Sequence, residues 1–177
     1  MGQAVSQREL LLRRGEWKRT GKGVVCAYGA FDLLHPGHIR LFERARDFGE
    51  ILAVAIQSNE IVQAGAVRVR DGGSLRVVQA ERPITPAEER AEIVAALRAV
   101  DFSAVVHEGL PEFLRTFQPD AFVCGDERSS KTVGSERDPA ADLESMLTEI
   151  ECKLVCLPLE PGFSTTRLIE RISGHGA

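Results

Sequence analysis

The chain has no long apolar run, no C-x-x-C pair, no surplus of positive charge, and few aromatics: one Trp, one Tyr and eight Phe in 177 residues. Each shortage closes a class. Without a stretch of roughly 20 apolar residues there is no helical membrane span. The opening "MGQAVSQRELLLRRGEWKRTGKG" has only a short apolar patch broken by charges, so it is not read as a secretion signal. A formal charge of −4 argues against a general nucleic-acid or anionic-membrane binder, since either needs a basic surface. Cys26, Cys124, Cys152 and Cys156 are spaced neither as a redox motif nor as zinc ligands. Each lies in or beside an apolar stretch, and they read as reduced, mostly buried thiols of a cytoplasmic protein.

What is present is an ordinary globular composition, 44% hydrophobic and 27% charged, in a length that suits one domain covering 1–177. Ser6 and Glu9 make a capping box that starts a helix at Gln7, within an N-terminal segment 1–21. "GVVCAYG" (23–29) reads as a buried strand ended by glycine. In the helix that follows, Ile39, Leu41, Phe42, Ala45 and Phe48 have helical spacing, and Gly49 closes it. "ILAVAIQ" (51–57) is almost unbroken apolar sequence, as in a parallel strand covered on both faces. Residues 58–82 interrupt this rhythm with alternating apolar and basic residues on either side of Asp71-Gly72-Gly73-Ser74, the pattern of an inserted β-hairpin.

Thr85-Pro86-x-Glu88 reads as a second capping box, opening the helix "PAEERAEIVAALRAV". Then come the strands "SAVVHE", "DAFVCG" and "KLVCLPL", separated by the helices "PEFLRTF" and "PAADLESMLTEI" and followed by "STTRLIERI". Strands alternating with helices predict a three-layer, Rossmann-like α/β fold, a mostly parallel sheet with helices on both faces.

In such a sheet, ligands sit beyond the carboxyl ends of the strands, where strand order reverses. "YGAFDLLHPGHIRLF" puts His35 and His38 there, at the end of the first strand and the start of its helix. The backbone amides of Gly37 and His38 would point from a helix N-terminus and attract phosphate. Two imidazoles beside them can hydrogen-bond a polyphosphate and stabilise the charge that grows during attack on it. The plainer alternatives are a structural histidine pair or half of a metal site. Of nearby residues only Asp32 could add a ligand, so no metal site is expected.

"GAFDLLHPGH" resembles the G-x-F-D-x-x-H-x-G-H signature of the cytidylyltransferase-like nucleotidyltransferases, and "GFSTTRLIERI" resembles their C-terminal S-T-T helix start. Within them the chain is most similar to the bacterial D-glycero-β-D-manno-heptose 1-phosphate adenylyltransferases, over roughly residues 6–173 apart from 58–82. The resemblance implies a nucleotidyltransferase that joins a nucleoside triphosphate, ATP rather than CTP, to a phosphorylated sugar with Mg²⁺ present and pyrophosphate released. Cytidylyl transfer to glycerol 3-phosphate, and a nucleotide-binding protein without turnover, are the alternatives. It implies that His35 and His38 are catalytic. Tyr28, Gly29, Ala30, Phe31, Gly37, Gly125, Ser164, Thr165 and Thr166 would bind the nucleotide, and Asp32 would brace the turn. Arg90, which matches an arginine of the family's middle motif, would bind a substrate phosphate or be an ordinary exposed helix arginine, and Lys131 would be a second phosphate ligand in place of a missing family lysine. A homodimer is implied by family habit alone.

The departures from the family pattern are specific. "VVQAERP" keeps Arg82-Pro83 but has no lysine ahead of it, and Cys124 stands where a lysine is expected after the fourth strand. "QSN" (57–59) replaces N-S-D, and "YGAFD" replaces N-G-C-F-D. Arg68, Arg70, Arg76, Arg128 or Lys131 would have to supply the missing charge. The hairpin is a lid, a dimer contact or a surface excursion, and residues 125–137 are a second mobile-loop candidate.

Overall fold

The computed structural model describes residues 2–64, 68–71, 74–77, 82–125, 139–158, 162–163, 165, 168 and 172. Helix α1 (Gln7–Arg19) starts where the capping box places it, with the Ser6 hydroxyl accepting from the Glu9 amide at 3.2 Å. It is preceded by a two-residue strand β1 (Gln3–Ala4), too short to carry a pattern in the sequence. Then follow β2 (Val24–Gly29), α2 (Pro36–Ala45), β3 (Ile51–Gln57) and α3 (Asn59–Ala64). A hairpin of β4 (Arg68–Asp71) and β5 (Ser74–Val77) comes next, then α4 (Ala87–Ala95) and β6 (Phe102–Val106). The chain continues through α5 (Leu110–Phe117), β7 (Ala121–Gly125), α6 (Pro139–Glu149) and β8 (Lys153–Leu157). Among the described residues no helix is long and apolar enough to cross a membrane.

Six strands form one sheet in the order β1-β6-β3-β2-β7-β8, and every neighbouring pair is parallel. From β2 the chain steps outward to β3 and β6, then returns to β7 and β8 on the other side. The order therefore reverses between β2 and β7, which is where an open α/β sheet leaves a crevice at its carboxyl edge. The hairpin forms a separate two-stranded antiparallel sheet with Asp71 opposite Ser74, as its turn sequence predicts.

The unbroken apolar strands are explained by two cores. Along β2, Val24 and Cys26 face Leu10, Trp17, Phe113 and Phe117, while Val25 and Ala27 face Phe42, Val94 and Leu52. Both faces being covered, alternation with polar residues is lost. Phe113 and Phe117 are fully buried and stack at 5.3 Å, so truncating either to Ala costs about 3–5 kcal/mol.

Two local expectations are corrected. The helix at 86–100 is shorter, and α4 begins at Ala87 with Pro86 as its cap and no side-chain capping bond. The Thr85–Glu88 box does not form: the Thr85 amide, the donor that Glu88 would have accepted from, donates instead to Asp32. The segment 58–82 is not hairpin alone, for its first third is α3, where Ser58 Oγ accepts from the Ile61 amide at 3.4 Å. The expected mobile loop at 125–137 lies outside the described residues except for Gly125, which ends β7.

Candidate active site

The turn leaving β2 is built under constraint. Phe31 has a left-handed backbone, φ +46°, although it carries a bulky side chain. That conformation costs about 1–3 kcal/mol and persists only where its surroundings impose it. They do so from both sides. An ideal Cβ on Gly29 would lie 3.1 Å from the Phe31 ring, so glycine leaves room for the ring to fold back over the strand end. From the far side, Asp32 accepts from the amides of Ile84 (3.0 Å) and Thr85 (2.9 Å) and from Arg82 Nε (3.4 Å). Asp32 is buried, so these bonds replace the water it gives up.

Arg90 completes the clamp. Its Nη1 donates to the Ala30 carbonyl, its Nε to the Thr85 carbonyl at 2.8 Å, and its Nη2 to Asn59 Oδ1 at 3.0 Å. The residue is only 1% exposed, and burial pulls its pKa down against the opposing field of Asp32. Neither sequence-based reading of Arg90 fits: it is not an exposed helix arginine, and its guanidinium is engaged by protein acceptors rather than offered to a phosphate. Ala30, expected to bind the nucleotide, has its carbonyl engaged by Arg90.

His35 caps α2 with an extended backbone, φ −142° and ψ 166°, Pro36 follows at the first helical position, and the His35 side chain makes no capping bond. Its carbonyl instead accepts from the His38 amide at 2.9 Å and the Ile39 amide at 3.4 Å. The His38 amide is thereby committed, which leaves Gly37 as the amide of that turn for an anion. The two imidazoles stack, centroids 3.8 Å apart and planes 17° apart, and the Phe31 ring meets His38 edge-on at 5.4 Å. Both Nδ1 atoms are buried without a hydrogen-bond partner among the described residues. Burial lowers both pKa values, and His38, with His35 beside it, falls to about 4. At neutral pH the pair is uncharged.

The C-terminal motif reaches this pair. Phe163 lies over His35, ring centroids 6.2 Å apart and planes 21° apart, and the Arg40 guanidinium sits 5.6 Å from the Phe163 centroid. Gly37 is where they crowd: a Cβ there would come within 3.0 Å of His35 Cε1 and Nδ1 and 3.4 Å of Phe163 Cβ. Thr165 is helical and half-buried two residues beyond, while Ser164, Thr166 and Lys131 lie outside the described residues. Gly125 closes β7 next to β2, at the order reversal. Tyr28 diverges from its neighbours. Its ring packs near Phe113 at 6.2 Å and its hydroxyl donates to the Glu108 carbonyl at 3.2 Å, on the face of the sheet opposite Phe31 and Phe42.

A family model described as Cytidylyltransferase-like matches residues 26–171, the span from β2 through the C-terminal motif. The chain belongs to that family. It is a nucleotidyltransferase by that membership. Curated relatives include the bifunctional protein HldE of Koribacter versatilis, 38% identical over 173 residues that make up 97% of this chain and 31% of that protein. HldE of Rhodopseudomonas palustris (strain BisB5) is 36% identical, covering 94% of this chain and 30% of its own length. HldE of Sulfurimonas denitrificans is 32% identical with the same coverage, 94% and 30%. The chain thus spans about a third of the length of these relatives. Among solved structures, the lipopolysaccharide core biosynthesis protein from Thermoplasma volcanium GSS1 superposes with TM-score 0.56 at 22% identity, over 79% of this chain and 98% of that one. Pantothenate synthetase from Thermus thermophilus gives 0.55 at 16% identity, over 89% and 62%. These last two likenesses concern the fold alone.

For a cytidylyltransferase-like chain, the protein's own donors are histidine rings and amides rather than a cage of carboxylates. Among the described residues no group of three or more His, Cys, Asp or Glu is placed to hold a metal ion, and Asp32 is turned into the fold. The described set would suit Mg²⁺ as an ion carried on phosphate oxygens. Sequence reasoning missed Phe163, which stands inside the C-terminal motif beside Ser164 but was given no role there. It also missed the internal role of Arg90, whose signal was present in its spacing on α4: Ala87, Ala91 and Val94 share its buried face.

Proposed function

We propose that this chain transfers a nucleoside monophosphate, AMP from ATP, to a phosphorylated sugar such as heptose 1-phosphate, releasing pyrophosphate. The observation that carries the reading is the seating of Phe163 against His35 and Gly37, which brings two motifs more than a hundred residues apart to one point at the strand-order reversal. The similarity to HldE over nearly the whole chain supports a sugar phosphate as acceptor.

In the proposed reaction an oxygen of the sugar phosphate attacks the α-phosphorus of the triphosphate. The bond from that phosphorus to the bridging oxygen breaks, and pyrophosphate carries away the electron pair. The chain's work is positioning and charge stabilisation. The Gly37 amide and the positive end of α2 hold a phosphate oxygen. The His35 and His38 rings, fixed by stacking and by Phe31, donate hydrogen bonds to oxygens whose charge grows as the bond breaks. Arg90 and Asp32 act through the turn that they brace. Mg²⁺, when bound on the triphosphate, would screen its charge. The reaction belongs in the cytoplasm, where nucleoside triphosphates are available.

A second reading, a nucleotide-binding protein without turnover, is favoured by one observation: Cys124 occupies the place of an expected lysine at the end of β7. Pyrophosphate release separates the two. It is measured with Mg²⁺ for ATP and CTP against heptose 1-phosphate, other sugar 1-phosphates, glycerol 3-phosphate and phosphoethanolamine, with His35→Ala in parallel. Release with ATP and a sugar phosphate, lost in the variant, is expected. Release with CTP alone would reassign the nucleotide, and nucleotide binding without release for any pair would favour the second reading.

A further inference from the structure

Strands β7 and β8 run parallel and in register, which places Cys124 directly beside Cys156 at the carboxyl edge of the sheet. Their sulfurs are 3.7 Å apart, although 32 positions separate them in the chain, so no spacing rule pairs them. Neighbouring strands lie about 4.8 Å apart. Disulfide-linked Cα atoms lie about 4.4–6.8 Å apart, a range that includes the spacing of neighbouring strands.

The four cysteines divide sharply by reactivity. Cys26 is fully buried and its thiol pKa is pushed far up, and burial pushes Cys152 up to about 11. Both stay protonated and poorly nucleophilic at neutral pH. Cys156 is exposed and Cys124 half-buried. A surface groove of about 380 Å³ between α6 and β8, with Glu144, Thr148 and Leu154 in its walls, opens beside Cys156 and also reaches Cys152, whose thiol burial keeps protonated.

We propose that Cys124 and Cys156 form an oxidisable dithiol that closes to a cross-strand disulfide and switches the site next to it. The oxidant is a low-molecular-weight disulfide. The Cys156 thiolate, its proton released to solvent, attacks one sulfur of that disulfide, whose S–S bond breaks and releases one small thiolate. The Cys124 thiolate then attacks the Cys156 sulfur and displaces the second small thiolate. Two protein thiols and one small disulfide become one protein disulfide and two small thiols. Gly125 follows Cys124 and ends β7 at the order reversal, so the bridge fixes the strand end at which the nucleotide is proposed to bind. That consequence, unlike the bridge itself, rests on the proposed nucleotidyl transfer. A disulfide of this kind in a reducing compartment is transient, as a switch requires.

The full chain is reduced with dithiothreitol, exchanged into glutathione disulfide, alkylated, digested and mapped by mass spectrometry, with pyrophosphate release measured on the same samples. The expected map links Cys124 to Cys156 and leaves Cys26 and Cys152 alkylated. Transfer falls roughly tenfold or more, since misplacing a reacting group by about 1 Å costs on the order of a hundredfold, and dithiothreitol restores it. Cys156→Ser keeps the reduced activity and becomes insensitive to oxidation. A map showing only glutathione adducts, or a link to Cys26 or Cys152, overturns the dithiol. A correct link with unchanged turnover overturns the switch. A reduced protein that never releases pyrophosphate contradicts the proposed reaction, and the map then still decides whether the bridge exists.

Discussion

The His35 imidazole lies flat on that of His38, centroids 3.8 Å apart and planes 17° apart. Two imidazolium cations could not share that arrangement without strong repulsion, and burial opposes even one charge. The free protein therefore presents two neutral rings, each with a buried Nδ1 that meets no partner among the described residues. An incoming polyphosphate changes the balance, because its negative charge favours the protonated ring that burial had disfavoured.

Stability of the free protein should then fall with acid in a definite window. The His38 pKa is depressed from the ordinary 6.5 to about 4, so the unfolded chain binds a proton that the folded one refuses. The contribution is fully present above pH 6.5, is lost as pH falls from there, and levels off below about 4. Between pH 7 and pH 5 the loss should be about 1–2 kcal/mol. Urea unfolding at the two pH values checks it, and His38→Gln should flatten the difference. An unchanged pH dependence in that variant would show that other groups carry it.

Arg90→Lys should act on the fold before it acts on the chemistry. Lysine cannot serve the carbonyls of Ala30 and Thr85 together with Asn59, and it leaves buried acceptors unpaired. A loss of about 2–4 kcal/mol follows, seen as a lower urea midpoint. A phosphate ligand would behave in the opposite way, with weaker nucleotide binding and an unchanged midpoint.

The elements with strong periodicity were legible from the chain alone: β2, β3, β6, β7 and β8 sit where the apolar runs are, and the Asp71–Ser74 turn makes the hairpin. Ser6 caps α1 as read, while Thr85 does not cap α4, because local capping there competes with a carboxylate from a distant turn. The histidine pair was legible because its chemistry sits in one short motif. The burial of Arg90 was legible in its spacing on α4, but its partners Ala30 and Asn59, the seat of Phe163 and the Cys124–Cys156 contact were not, since each depends on a neighbour brought near only by the fold. Composition also misjudged one thiol, for Cys156 is exposed at the sheet edge rather than buried.

Gly37→Ala separates function from stability. Alanine is the better helix former, by about 1 kcal/mol in a helix interior, and the position lies in the first turn of α2. Its methyl would stand 3.0 Å from the His35 ring and 3.4 Å from Phe163 Cβ, contacts that the side chains must yield. Thermal unfolding should be unchanged or slightly raised while turnover drops on the order of tenfold to a hundredfold, through the displaced His35. Equal losses of stability and turnover would mean that the crowding is absorbed by the backbone.

Phe163→Ala tests the convergence on which the proposed reaction rests. Phe163 is 39% exposed, so truncation removes a partly buried ring and should lower stability by about 1–2 kcal/mol, a loss the folded chain survives. What it removes is the plate against which His35 lies and the ring over which Arg40 sits. A His35 side chain free to rotate loses its fixed orientation, and interactions made mainly in the transition state weaken first. The expected signature is a fall in kcat of about tenfold or more with a smaller change in KM for the triphosphate. Phe163→Tyr keeps the plate and should retain most of the rate, whereas equal activity of the Ala variant would mean that the C-terminal motif meets the histidine pair without helping it.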